Sequence, residues 1–165
     1  QHWSSAASDV YKRQGKDLRY FDPNSDNKFT PSVIEPAGGL TRTLFAVLLS
    51  LYEEEELEKE VRTLFKFKFD LAPIQIGILP LSKKEELIEV CNSIKSELGP
   101  YFRTEIDVTQ SIGKRYRRQD EIGTPYCITV DFDTLEDKAV TVRDRDSMSQ
   151  ERIKIEDIKS YFDNM

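Results

Sequence analysis

The chain is 165 residues long, 38% hydrophobic and 33% charged, which suits one well-cored domain with part of a second and excludes a disordered tail. Its net charge is −6, but an acidic run fills Glu53–Glu60 and four cations fall between Lys114 and Arg118, so the sum does not exclude a polyanionic partner. The longest apolar stretch, 44–51, is far too short to span a bilayer, and the one histidine, His2, leaves no histidine base for catalysis in the body of the chain.

Gln1 to Gln14 are small and polar, without period, and are expected to be a non-native or disordered extension outside the fold. The turn-rich Asp22–Asn27 lies between aromatic-containing runs, which predicts a hairpin with Leu18–Phe21 returning through Lys28–Thr30 into Val33-Ile34. After Pro36 and the pair Gly38-Gly39, the spacing of Leu40, Leu44, Val47, Leu48 and Leu51 predicts a helix with one apolar face, extended by the acidic run as a solvated surface. Pro73 stops any preceding helix, and the composition change at Phe69–Pro73 marks a domain boundary.

Beyond that boundary, Ile74–Leu81 reads as a buried strand. Ser82 with Glu85 reads as a capping box opening a helix to about Leu98, ended by Gly99-Pro100. Phe102–Val108 is expected as a strand, Ser111–Ile122 as a helix stopped by Gly123, and Pro125–Val130 and Ala139–Arg143 as two strands around the polar turn 131–138. Ile153–Phe162 is expected as a closing amphipathic helix. The order implies an α/β domain, a mixed sheet flanked by helices. Cys91 and Cys127 lack zinc-site spacing and sit in apolar patterns, so they are expected as buried reduced thiols in the cytoplasm.

The densest chemical signal is the helix after Ser111. Lys114, Arg115 and Arg118 fall within one turn of each other, with Asp120 and Glu121 close behind. Two readings stand: a self-neutralised surface helix, or recognition of phosphates and unpaired bases by guanidinium forks, with Tyr116 available for stacking. Glu35 and Arg42, seven residues apart across Pro36 and the two glycines, form a second and weaker pair that could hold an ammonium and a phosphate. The alternating acids Asp131, Asp133, Asp144 and Asp146 lack the glycine and terminal glutamate of a calcium loop; interstrand ion pairs explain them better, and no metal is assigned.

Taken together these segments resemble one family. Val33-Ile34-Glu35-Pro36-Ala37-Gly38-Gly39-Leu40-Thr41-Arg42 resembles the third signature motif of class II aminoacyl-tRNA synthetases in its glycyl form. Ser111–Tyr116, Asp120–Tyr126, Ile128–Asp133 and Thr141–Asp146 resemble the anticodon-binding domain of the homodimeric glycyl-tRNA synthetases. The resemblance covers nearly everything after Gly15. It implies that 15–68 is the C-terminal remnant of an antiparallel catalytic domain and 69–165 the anticodon-binding domain. It assigns ATP contact to Arg42 and binding of the glycine amino group to Glu35; the family often carries serine where this chain has Ala37. It implies tRNA(Gly), glycine and ATP with magnesium as partners of a full-length homodimeric enzyme that activates glycine and transfers it to tRNA, with no membrane and no DNA partner. The catalytic set is incomplete in this chain, so the chain alone is expected neither to form adenylate nor to charge tRNA. Within the recognition domain, Arg115, Arg118, Asp120, Glu121 and Arg145 are expected as anticodon or phosphate contacts. The competing reading is a non-catalytic RNA- or DNA-binding accessory protein on the same fold.

Overall fold

The structure, a computed structural model, describes residues 14, 15, 17, 19–30, 34, 36–58, 60–163 and 165. Residues 1–13 of the expected extension, Leu18, Val33 and the glycine-binding candidate Glu35 lie outside them. The chain divides into two compact units, Gln1–Thr43 and Leu44–Met165.

In the first unit, β1 (Tyr20–Asp22) and β2 (Asn27–Phe29) form the expected antiparallel hairpin, Tyr20 opposite Phe29 with their rings 5.8 Å apart edge to face. Asp22 shapes the turn, its carboxylate accepting from the Asn24 amide (3.0 Å) and the Ser25 hydroxyl (2.7 Å). Helix α1 (Leu40–Leu51) starts at the predicted place, where Gly39 carbonyl accepts from the Thr43 amide and hydroxyl. Arg42 sits exposed in its first turn. The expected apolar face is present but only half covered: Val47, Leu48 and Leu51 are half-buried, while Leu40 and Leu44 stay exposed.

The acidic run does not extend α1. It forms β3 (Tyr52–Glu56), paired antiparallel with β4 (Val61–Phe65). Electrostatics explains the choice. On a helix these glutamates would face one another at i+3 and i+4. On a strand Glu53 and Glu55 turn to one side, where Lys66 pairs with both and Arg62 with Glu55 at 2.8 Å. The partner strand Val-Arg-Thr-Leu-Phe is rich in β-forming residues and buries Arg62 and Leu64 completely.

The main sheet has the order β6-β5-β7-β8-β9, with β5 (Ile76–Pro80), β6 (Thr104–Ile106), β7 (Tyr126–Val130), β8 (Ala139–Asp144) and β9 (Gln150–Lys154). The first three strands run parallel and the last two join antiparallel, a mixed sheet as expected. Helix α2 (Glu85–Leu98) connects β5 to β6, and α3 (Ile112–Ile122) returns from β6 past β5 to β7. Because the two crossovers run in opposite directions, the right-handed rule places α2 and α3 on opposite faces. Side-chain contacts agree. Leu87, Cys91, Ile94 and Leu98 of α2 join Ile76, Ile78, Ile128, Val130, Val140 and Val142 in one core, closed by Ile158 and Phe162 of α5 (Ile158–Asp163). On the other face Gly77 lets Gln119 of α3 approach closely; a Cβ there would lie 3.1 Å from the Gln119 amide. Burial pushes the Cys91 and Cys127 thiols up to about 12.

Three expectations change in detail. The α2 capping box does not form: Lys84 is the cap residue, and Ser82, two residues earlier, accepts from its amide through Oγ at 3.3 Å. The polar turn after β7 contains a short helix, α4 (Asp133–Asp137). Residues 150–154, outside any expected element but for the start of the closing helix, form β9, so that helix begins only at Ile158. Residues 69–73 pack within the second unit. Phe69 stacks on Phe162 with ring centroids 6.1 Å apart, and Arg103 donates to the Ala72 and Asp70 carbonyls.

Candidate nucleic-acid interface

Helix α3 is amphipathic in an unusual sense, since its inward stripe is largely polar. Ile112, Arg115, Gln119 and Ile122 recur at three- and four-residue steps, and Arg115, Gln119 and Asp120 are buried. Ser111 precedes it in extended conformation and Gly123 ends it in the left-handed region, φ 88°, donating to the Gln119 and Asp120 carbonyls.

The buried charges on α3 are fully engaged. Arg115, 3% exposed, donates to four carbonyls: Pro80, Val108 (3.2 Å), Thr109 (3.3 Å) and Gln110 (2.8 Å). It thereby fixes the 108–110 loop, where Gln110 holds a positive φ of 67°. Asp120, 0% exposed, accepts from Arg62 Nε (2.8 Å) and from Arg143 (3.0 Å), tying β4, α3 and β8 together. Burial works against the Arg62 charge, but Asp120 and Glu55 outweigh it and hold its pKa above the ordinary arginine value. Arg145, 3% exposed, donates to the Phe65, Phe67 and Gly123 carbonyls and forks onto Asp146 at 2.8 and 3.0 Å. The expectation that Arg115, Asp120 and Arg145 touch RNA directly therefore meets a physical obstacle. Their hydrogen-bonding groups are committed inside the protein, and withdrawing them would leave buried carbonyls and charges unpaired.

The outward side of α3 is different. Arg118, partly exposed, pairs with Asp107 and reaches Thr109 Oγ1 at 2.9 Å. Burial pushes the Asp107 carboxyl up, but hydrogen bonds from Thr109 and Arg118 outweigh it and leave it below its ordinary value. Glu121 is exposed, as are Gly113 and Lys114. Arg117 pairs with Glu60 of the β3–β4 turn.

Beside α3 the sheet face is covered at Cys127, Thr129 and Arg143 and opens toward its edge at Thr141, Gln150 and Arg152. Register places Thr129, Thr141 and Arg152 on this face in one row, and Cys127, Arg143 and Gln150 in the next. Val140 and Val142 point the other way, into the core. Arg143 lies under Tyr116, its guanidinium carbon 4.8 Å from the ring centroid, while the Tyr116 hydroxyl bonds Thr129. Burial raises the Tyr116 pKa. Arg152 is clamped between Asp131 (2.8 Å) and Asp137 (2.8 Å). Along the edge where helix meets sheet runs a groove of about 510 Å³ lined by Glu60, Ser111, Gly113, Lys114, Tyr116, Arg117, Arg143, Met148 and Gln150. The sequence pattern marks Lys114 and Tyr116 on the basic helix but does not single out Arg117, nor Gln150 and Arg152, whose strand β9 lies outside the expected elements. The alternation Gln150, Arg152, Lys154 against Glu151, Ile153 was the available signal.

A mixed sheet that presents a polar face beside a cationic helix has the chemistry of a nucleic-acid-recognition domain. The chain belongs to the anticodon binding domain family, whose model matches residues 75–165. It is 56% identical over 151 residues to a glycine–tRNA ligase of Lachnospira eligens, covering 91% of this chain and 32% of that relative. It is 55% identical over 150 residues to one of Clostridium acetobutylicum, covering 90% and 32%. The chain thus spans about a third of the length of these relatives, which are enzymes. Among solved structures, the RNA binding domain of threonyl-tRNA synthetase from Cryptosporidium parvum Iowa II matches with TM-score 0.56 and 28% identity, over 61% of this chain and 25% of that one. Prolyl-tRNA synthetase from Cryptosporidium parvum matches with TM-score 0.57 and 25% identity, over 62% and 22%. Among the described residues no helix is long and apolar enough to cross a membrane.

Proposed function

We propose that this chain supplies anticodon recognition to a cytoplasmic glycine–tRNA ligase, a homodimer acting on glycine, ATP and tRNA(Gly). The observation that carries the reading is the groove where outward cations of α3 meet the exposed polar edge of β9 at Gln150. Unpaired loop bases splay into such a site, offering faces to Tyr116 and edges to charged and amide side chains, while phosphates meet Lys114 and Arg118. Arg118 and Glu121 keep their place as surface contacts. Arg115, Asp120 and Arg145 act as positioning residues that hold the loop, the helix and the β8 end rigid beneath that surface.

Arg42, exposed at the start of α1, is the residue for ATP contact, and Glu35 for the glycine amino group, with Ala37 leaving no hydroxyl beside it. Among the described residues no group of three or more His, Cys, Asp or Glu side chains converges. Titrating the chain with a tRNA(Gly) transcript at several salt concentrations tests the recognition role. Arg118→Ala and Lys114→Ala should each weaken binding and lower the salt slope by about one contact. Unchanged affinity and slope in both would contradict it.

A further inference from the structure

The acidic hairpin has a part in the groove that charge attraction to RNA does not explain. Glu60 ends the turn between β3 and β4, where the Leu57 amide donates to its carbonyl at 2.9 Å. Its carboxylate pairs with Arg117, and the two side chains remain 56% and 29% exposed at the groove. The turn is anchored: two residues on, Arg62 is fully buried on Asp120 and Glu55 and donates to the Arg145 carbonyl at 2.6 Å. A carboxylate beside Lys114, Arg117 and Arg143 lowers the attraction of the groove for a polyanion. What it adds is a different hydrogen-bonding character, because a carboxylate only accepts and a guanidinium only donates.

We propose that Glu60 is a specificity-determining residue of this groove: with Arg117 beside it, its carboxylate accepts from the exocyclic amine of an unpaired base while the guanidinium donates to the adjacent ring nitrogen. This inference rests on the RNA-recognition reading above. An acceptor next to a donor complements the edge of cytosine or adenine, which present an amine beside a ring-nitrogen acceptor. It opposes uracil, whose carbonyl would face the carboxylate. The existing ion pair keeps the two groups side by side, so little ordering is needed when a base enters.

The test uses the full chain and a set of RNA hairpins that differ only in carrying cytosine or uracil at each loop position, with affinity read by fluorescence anisotropy at one moderate salt concentration. The wild-type chain should prefer cytosine at one position by on the order of tenfold. Glu60→Gln keeps the shape but can also donate, and should bring that ratio close to one without weakening the uracil hairpin. Arg117→Ala should weaken the cytosine hairpin more than the uracil one. A cytosine preference that survives Glu60→Gln overturns the assignment. So does a Glu60→Gln chain that tightens on all hairpins equally, since the carboxylate would then only be competing for Arg117. A wild-type chain that binds none of the hairpins overturns the recognition reading itself, and with it this one.

Discussion

Arg115 and Arg118 lie three residues apart on α3, yet removing each guanidinium carries a different expected cost. Arg115→Ala leaves the Pro80, Val108, Thr109 and Gln110 carbonyls without their donor and should cost about 2–4 kcal/mol, read as a lower urea midpoint. Arg118→Ala breaks a partly exposed pair with Asp107 and should cost less than about 1 kcal/mol while weakening RNA binding. Equal losses of stability in the two variants would mean that burial does not separate their roles. A second residue-scale consequence concerns pH. The Arg152 guanidinium, followed by Thr134, holds the Asp131 carboxyl below its ordinary value. The folded-state pKa is depressed, so the stabilisation is fully present above the unfolded value of about 3.9 and is lost as pH falls through the folded one. The stability gap between wild type and Arg152→Ala should hold steady from pH 7 to 5 and close below pH 4; a gap that widens on acidification would contradict this.

At the scale of elements, the junction of α3 and β7 depends on Gly123. Its φ of 88° is one that side chains resist, and a Cβ would lie 2.4 Å from the Phe67 ring and 2.8 Å from the Phe65 carbonyl oxygen. Gly123→Ala should cost about 2–4 kcal/mol from backbone strain and overpacking together, measurable as a drop in Tm, whereas Gly113→Ala in the open first turn should not destabilise. The end of α3 at Gly123 was legible because left-handed helix ends favour glycine. So were β5, α2, β7 and β8, whose apolar periods match their burial. Others, β3 and β9 among them, were not. The Glu53–Glu56 strand is set by Arg62 and Lys66, whose positions opposite the acids become visible only once the strands pair. The β9 strand carries one apolar side chain at Ile153, and its place comes from pairing with β8 rather than from hydrophobic pattern. The site suffered from the same cause. A run of four cations reads as a surface, while the fold turns Arg115 inward and leaves Lys114, Arg117 and Arg118 outside.

At the scale of the whole chain, buried ion pairs join the acidic hairpin, the basic helix and the end of β8 into one support. Above it the surface keeps its cations. A net charge of −6 is therefore compatible with RNA binding, because Glu53, Glu55 and Glu60 of the hairpin are paired with Lys66, Arg62 and Arg117. The claim that unites these scales is that the groove reads an unpaired loop by sequence. It is tested most directly by comparing binding of the chain to tRNA(Gly) and to the same tRNA with only its anticodon bases replaced, at fixed salt. Tighter binding of the native anticodon by on the order of tenfold or more is the predicted result. Equal affinity for the two RNAs would contradict the account.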